Sequence, residues 1–182
     1  MKILKVFIAG PRAINELDEN INVKLDSICE RNYDVLVGDA DGIDSSIQKF
    51  LNEKKYKNVT VFASKGIARN NYGDWKVENV VVDENVTGFD FYATKDLSMA
   101  KNADIGFMIW NGKSKGTFNN IINLLNFGKD VILYYVPTKK FYQLKQMNDL
   151  DSFINTNVKL DSKLKKMLPK KEVKQFIQAC MF

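Results

Sequence analysis

Residues Asp104 to Gly116 read Asp-Ile-Gly-Phe-Met-Ile-Trp-Asn-Gly-Lys-Ser-Lys-Gly, with Thr117 next and apolar residues at helical spacing beyond it. An apolar run that breaks into a polar, glycine-containing loop and then opens a helix leaves backbone N–H groups available to a phosphate. Gly112, Ser114, Lys115, Gly116 and Thr117 are therefore candidate phosphate-binding residues. The segment is not a P-loop. Gly112-Lys113-Ser114 matches the end of that motif, but the glycine required five positions earlier is replaced by Phe107.

Three other loops carry groups suited to the same ligand. Gly38-Asp39-Ala40-Asp41-Gly42-Ile43-Asp44 combines two glycines with three carboxylates where a strand passes into a helix. Asp41 is placed to cap that helix and Asp44 to favour its positive end, while a carboxylate there can also accept hydrogen bonds from ribose hydroxyls. Gly10-Pro11-Arg12 follows the first strand, and Arg69-Asn70 follows the third. In a chain whose cations are overwhelmingly lysine, an arginine on each of these loops suits fork-like anion recognition. Trp75 and Trp110 are candidates to stack on a base. Asp96 and Asp44 are the carboxylates that sugar chemistry would use if the chain were an enzyme.

These loops need a scaffold that brings strand ends together. Val6 to Ala9, Val35 to Val37, Val59 to Ala63, Ile105 to Ile109 and Val131 to Val136 read as buried strands, with Trp75 to Val82 as a weaker one. Helical spacing runs over Asn15 to Arg31, Asp41 to Lys54, Asp90 to Asn102 and Thr117 to Phe127, with a further helix at Lys139 to Met147 and a basic amphipathic one after Pro169. Strands alternating with helices imply a Rossmann-like, doubly wound and mostly parallel α/β sheet, whose ligands bind beyond the carboxyl ends of the strands. The expected division is a domain over 1–137 followed by a short, basic helical appendage over 138–182.

Composition excludes several chemistries. The 182 residues contain no histidine, which removes imidazole acid–base catalysis and the His-activated nucleophiles. Cys29 and Cys180 are too isolated for a disulfide scaffold or a zinc site, so neither a metal nor a cofactor is expected. No apolar run is long enough to cross a bilayer and no leader pattern precedes the first strand, so a cytoplasmic protein without membrane contact is expected. Seven lysines against two acids between Lys159 and Lys174 give +5, the whole net charge of the chain. The core is thus neutral, and nucleic acid is on that ground not the expected partner.

The ordered set of Ala9-Gly10-Pro11-Arg12, Gly38-x-Ala40-x-Gly42-Ile43-Asp44, Arg69-Asn70, Ala103-Asp104, Trp110-x-Gly112 and Ser114-x-Gly116-Thr117 resembles the SLOG superfamily. This Rossmann-like group includes the DNA-processing protein DprA and the lonely-guy phosphoribohydrolases, and the resemblance covers roughly residues 3 to 137. It implies a nucleotide-derived ligand, with phosphate near Ser114 to Thr117 and the loops at Gly10 and Gly38 completing the pocket. Two departures matter. Asp39 stands where the small bacterial SLOG proteins have a second glycine, and Asn120 stands where the lonely-guy enzymes carry a catalytic glutamate. An amide cannot do that work, so the expectation is a binder of a nucleotide or NAD-derived small molecule, such as an ADP-ribose-type signal. The alternatives are cleavage or transfer at an N-glycosidic bond and, third, single-stranded DNA binding. A homo-oligomer is plausible on the resemblance alone.

Overall fold

Val6 to Ala9 are all buried, as a strand covered on both faces requires. The computed structural model describes residues 2–170. The elements in chain order are β1 (Lys5–Ala9), α1 (Glu19–Glu30), β2 (Asp34–Gly38), α2 (Ile43–Glu53), β3 (Val59–Ser64), β4 (Lys76–Val80), α3 (Gly88–Asn102), β5 (Ile105–Trp110), α4 (Lys115–Asn126), β6 (Asp130–Tyr135), β7 (Lys140–Leu144), α5 (Met147–Asn157) and α6 (Ser162–Lys165). One sheet runs in the order β4-β3-β2-β1-β5-β6-β7. Every neighbouring pair is parallel except β6 and β7, which are antiparallel.

Alternation along the strands divides the interior into two cores. Val6, Ile8, Val35, Val37 and Val61 pack with Leu25 of α1 and Ile43, Ile47 and Leu51 of α2 on one face. Phe7, Ala9, Leu36 and Met108 pack on the other with Met99 of α3, Phe118 and Ile121 of α4 and Leu150 of α5. The chain starts at β1 in mid-sheet, works outward to β4, and returns through α3 to β5 on the opposite side of β1. That reversal creates a crevice at the carboxyl ends of β1 and β5, the site where open α/β sheets bind ligands.

The structure differs from the sequence expectations at several boundaries. The helix expected from Asn15 begins at Glu19, because the Asp18 carboxylate accepts from the Ile21 N–H at 3.1 Å and fixes the cap there. Asp41 does not cap α2; Gly42 occupies that position, and the Asp41 carboxylate accepts from the Asn70 amide at 3.0 Å. The helix expected at Lys139 to Met147 is instead the edge strand β7, so the sheet extends past Pro137. Its Phe141 and Tyr142 alternate sides, one packing on Tyr134 and the other on Phe153, which a strand permits and a helix does not. The basic helix expected after Pro169 falls almost wholly outside the described residues. Among those described, no helix is long and apolar enough to cross a membrane.

Gly42 holds the turn into α2 at φ +81°, and a Cβ there would lie 2.4 Å from the Arg12 carbonyl oxygen. Replacing it with alanine combines a left-handed backbone with a backbone clash. Gly42→Ala is expected to cost about 2 kcal/mol or more, a fall in melting temperature of roughly 4–8 °C by calorimetry. Gly116→Ala, where the added methyl meets nothing within 4 Å, is expected to melt no lower than the parent.

Candidate functional site

The carboxyl ends of β1 and β2 and the first turns of α3 and α4 enclose a cavity of about 400 Å³. Gly10 and Arg12 come from the loop after β1, Asp44 from α2, Phe89, Tyr92, Lys95 and Asp96 from α3, and Ser114, Gly116, Thr117 and Asn120 from the start of α4. The volume lies within the range of ligand pockets, roughly 300–1,000 Å³.

One wall is fixed by Asp39, whose side chain is 3% exposed. Arg69 donates through Nη2 to Oδ1 at 2.7 Å and through Nε to Oδ2 at 3.2 Å, and its backbone N–H reaches Oδ2 at 3.0 Å. Lys95, equally buried, places Nζ 2.9 Å from Oδ1. Burial raises the Asp39 pKa, but the Arg69 fork and the Lys95 charge outweigh it and hold the carboxyl well below the usual range. Two expectations are thereby altered. The Asp39 charge is neutralised within the protein, and the Arg69 fork is committed to Asp39. Asn70 has a similar bracing role, donating to the Asp39 carbonyl at 2.9 Å as well as to Asp41. Gln48 ties this loop to the sheet by donating to the carbonyls of Gly38 and Asn70 at 2.9 and 3.1 Å.

Gly38 makes room for Asp44, since a Cβ there would sit 2.3 Å from the Asp44 Oδ2. That oxygen accepts from the Ala40 N–H at 3.3 Å. Burial, reinforced by Asp96 and Asp39, pushes the Asp44 carboxyl up to about 7 against the opposing pull of Lys95 and the Ala40 N–H. Burial also raises Asp96, with Lys95, a hydrogen bond from Asn120 and Arg12 acting in the other direction. The two carboxylates singled out for sugar chemistry therefore share one cavity.

The loop before α4 is shaped by its own side chains. Asn111 Oδ1 accepts from the N–H groups of Lys113 and Ser114 at 3.0 and 2.9 Å. Ser114 caps the helix, its Oγ accepting from the Thr117 N–H at 3.3 Å and lying 3.0 Å from Thr117 Oγ1. The N–H groups of Lys115 and Gly116, at the first helical positions, have no intrahelical partner. Gly116 leaves them uncovered on the cavity side. Pro11, Gly10 and Gly42 shape the backbone around the mouth, with the Pro11 carbonyl accepting from the Ile43 N–H at 3.1 Å.

Trp110, Trp75 and Gly112 do not line the cavity. Trp110 is fully buried, stacked on Phe118 with ring centres 5.0 Å apart and donating to the Ser114 carbonyl at 3.0 Å. It holds the loop from beneath, so its ring is not open to a base. Trp75 is buried in the opposite core and donates to the Tyr56 carbonyl at 2.8 Å. Gly112, at φ +79°, packs against Tyr135.

The aromatic surface comes from a segment that the sequence analysis passed over, the first turns of α3. Phe89 and Tyr92 are each 36% exposed at the cavity mouth. Arg12 and Arg69 lie 4.7 and 4.9 Å from the centre of the Tyr92 ring, Lys115 3.9 Å from Phe89, and Lys65 5.2 Å from Phe91. The signal was the Phe89-x-Phe91-Tyr92 cluster at a helix start, where apolar helical spacing alone assigns aromatics to the core.

Two stability measurements test this arrangement. Asp39→Asn leaves the buried Lys95 without its charge partner and is expected to cost about 3 kcal/mol in chemical denaturation. Asp44 has a folded pKa above its unfolded value of about 3.9, so its contribution is complete below about pH 4 and is lost as pH rises to about 7. Asp44→Asn is expected to flatten that decline in a pH series of melting temperatures. An unchanged slope would contradict a buried, proton-holding Asp44.

No family model matches the chain, and no curated protein does. A solved structure described as showing the single-stranded DNA binding mode of DNA processing protein A from Helicobacter pylori is similar over 90% of this chain and 77% of that one, with a TM-score of 0.55 at 10% identity. At that identity the likeness establishes a shared Rossmann-like fold, of the type that the SLOG resemblance implied. It also corrects the expectation against nucleic acid as a partner, because the similar protein is described as binding single-stranded DNA. Averaging charge over the whole core overlooked its placement, since Arg12 and Lys115 lie over the rings of Tyr92 and Phe89 at the cavity mouth.

Proposed function

We propose that the chain binds a nucleotide unit in the cavity between β1, α3 and α4. The observation that carries this reading is the convergence of an uncovered helix N-terminus at Gly116 with the cation-bearing aromatic mouth of Phe89, Tyr92, Arg12 and Lys115. The helix end and Arg12 suit a phosphate, and the aromatic and guanidinium planes suit a base. A small nucleotide or NAD-derived ligand, of which an ADP-ribose-type signal is one case, fits a cavity of about 400 Å³.

A second reading has the unit presented by single-stranded DNA. Arg12 and Lys115 over the exposed rings of Tyr92 and Phe89 favour it, because such grooves combine backbone neutralisation with base stacking. The DNA-binding description of the similar fold adds to it.

Calorimetric titration with AMP, ADP-ribose and a single-stranded oligothymidine tests both. Binding of AMP or ADP-ribose that weakens about tenfold in Phe89→Ala is expected, given stacking contributions of about 1–3 kcal/mol. Oligothymidine binding that falls steeply with salt and competes with AMP would favour the DNA form. No binding of any of the three would overturn the proposal.

A further inference from the structure

Asn120 sits one turn into α4 at 2% exposure, and its Oδ1 has no hydrogen-bond partner among the described residues. A buried acceptor left unmade costs about 1–3 kcal/mol, so its presence on a cavity wall points to a donor supplied from outside. Its neighbours on that wall are carboxyl groups with partners of their own, Asp44 accepting from the Ala40 N–H and Asp96 hydrogen-bonded to the Asn120 side chain. Asp44 and Asp96 line the cavity, and the cation beside them, Lys95, is held by Asp39. The mouth and the floor of the cavity therefore differ in kind. Cations gather over the rings of Phe89 and Tyr92, whereas acceptors line the depth.

We propose that the floor formed by Asn120, Asp44 and Asp96 receives the sugar hydroxyls of the bound nucleotide unit, so that the cavity selects a unit whose sugar hydroxyls are unesterified. This rests on the nucleotide-unit reading and adds to it the part of the ligand that is recognised. With Lys95 held by Asp39, the floor offers a phosphate no free cation, whereas the helix end at Gly116 offers unpaired N–H groups. Asn120 lies four residues beyond Gly116, about 6 Å along the helix, a span that places the sugar next to a phosphate held at the helix end. An internal nucleotide of a DNA chain carries phosphate on both sides of its sugar and would force one of them onto the floor. The occupant is accordingly a free nucleotide or the hydroxyl-bearing terminal unit of a strand.

The test is calorimetric titration of the wild-type chain with the four ribonucleoside 5′-monophosphates, their 2′,3′-dideoxy forms and their 3′-phosphorylated forms. The hydroxylated form of whichever nucleotide binds is expected to bind about tenfold or more tighter than its dideoxy form, with the 3′-phosphate weaker still. Asn120→Leu is expected to reduce the ratio of hydroxylated to dideoxy affinity, and Asn120→Ser, which keeps an acceptor, to retain part of that ratio. Equal binding of hydroxylated and dideoxy forms would overturn the floor assignment while leaving nucleotide binding intact. A preference that follows the amino group of the base and ignores the sugar would overturn it as well, by placing the base at the floor. Absence of binding by every nucleotide would overturn the nucleotide-unit reading and this inference together.

Discussion

The buried Asp39 carboxylate, held between the Arg69 fork and the Lys95 ammonium, is the interaction on which the ligand side of the sheet depends. It joins three segments distant in sequence: the end of β2, the loop after β3 and the middle of α3. Lys95 brings α3 down onto the strand ends, and that position sets Phe89 and Tyr92 at the cavity mouth one to two turns earlier on the same helix. Arg69 completes the pair from outside and continues over Tyr92. Charges removed from water are costly unless their partners are close and well aligned, and here one carboxylate is met by several donors between 2.7 and 3.2 Å.

With Asp39 neutralised, the remaining charge is sorted by depth. Arg12, Lys65 and Lys115 stay at the surface over aromatic rings, while Asp44 and Asp96 lie deep enough for burial to raise their pKa values. Net charge is blind to such sorting. A neutral core with cations at one end and acceptors at the other can attract a phosphate and still seat a neutral donor beneath it.

Much of the scaffold was legible because fully buried strands leave continuous apolar runs, as Val6 to Ala9 and Ile105 to Trp110 do. The loops at Gly10, Gly38 and Ser114 were legible for the same reason: each begins where such a run stops. β7 was missed because most of its five residues are exposed, and so short an alternation cannot be separated from helix. The roles of Trp75 and Trp110 were misjudged because loop position says nothing of which way an indole turns. Each ring is drawn inward, with its N–H satisfied by a backbone carbonyl. Arg69 and Asp39 were read separately as ligand groups, and only the fold reveals that they pair. Asn120 was visible solely as a departure from a catalytic glutamate, and its unpartnered oxygen needed coordinates.

Nuclear magnetic resonance titration of the isotopically labelled chain with AMP tests the central claim most directly. The account predicts amide shifts concentrated at Gly10 to Arg12, Gly88 to Asp96 and Lys115 to Asn120, with the largest at Lys115 and Gly116. Shifts confined to other surfaces, or a spectrum unchanged at millimolar AMP, would contradict it.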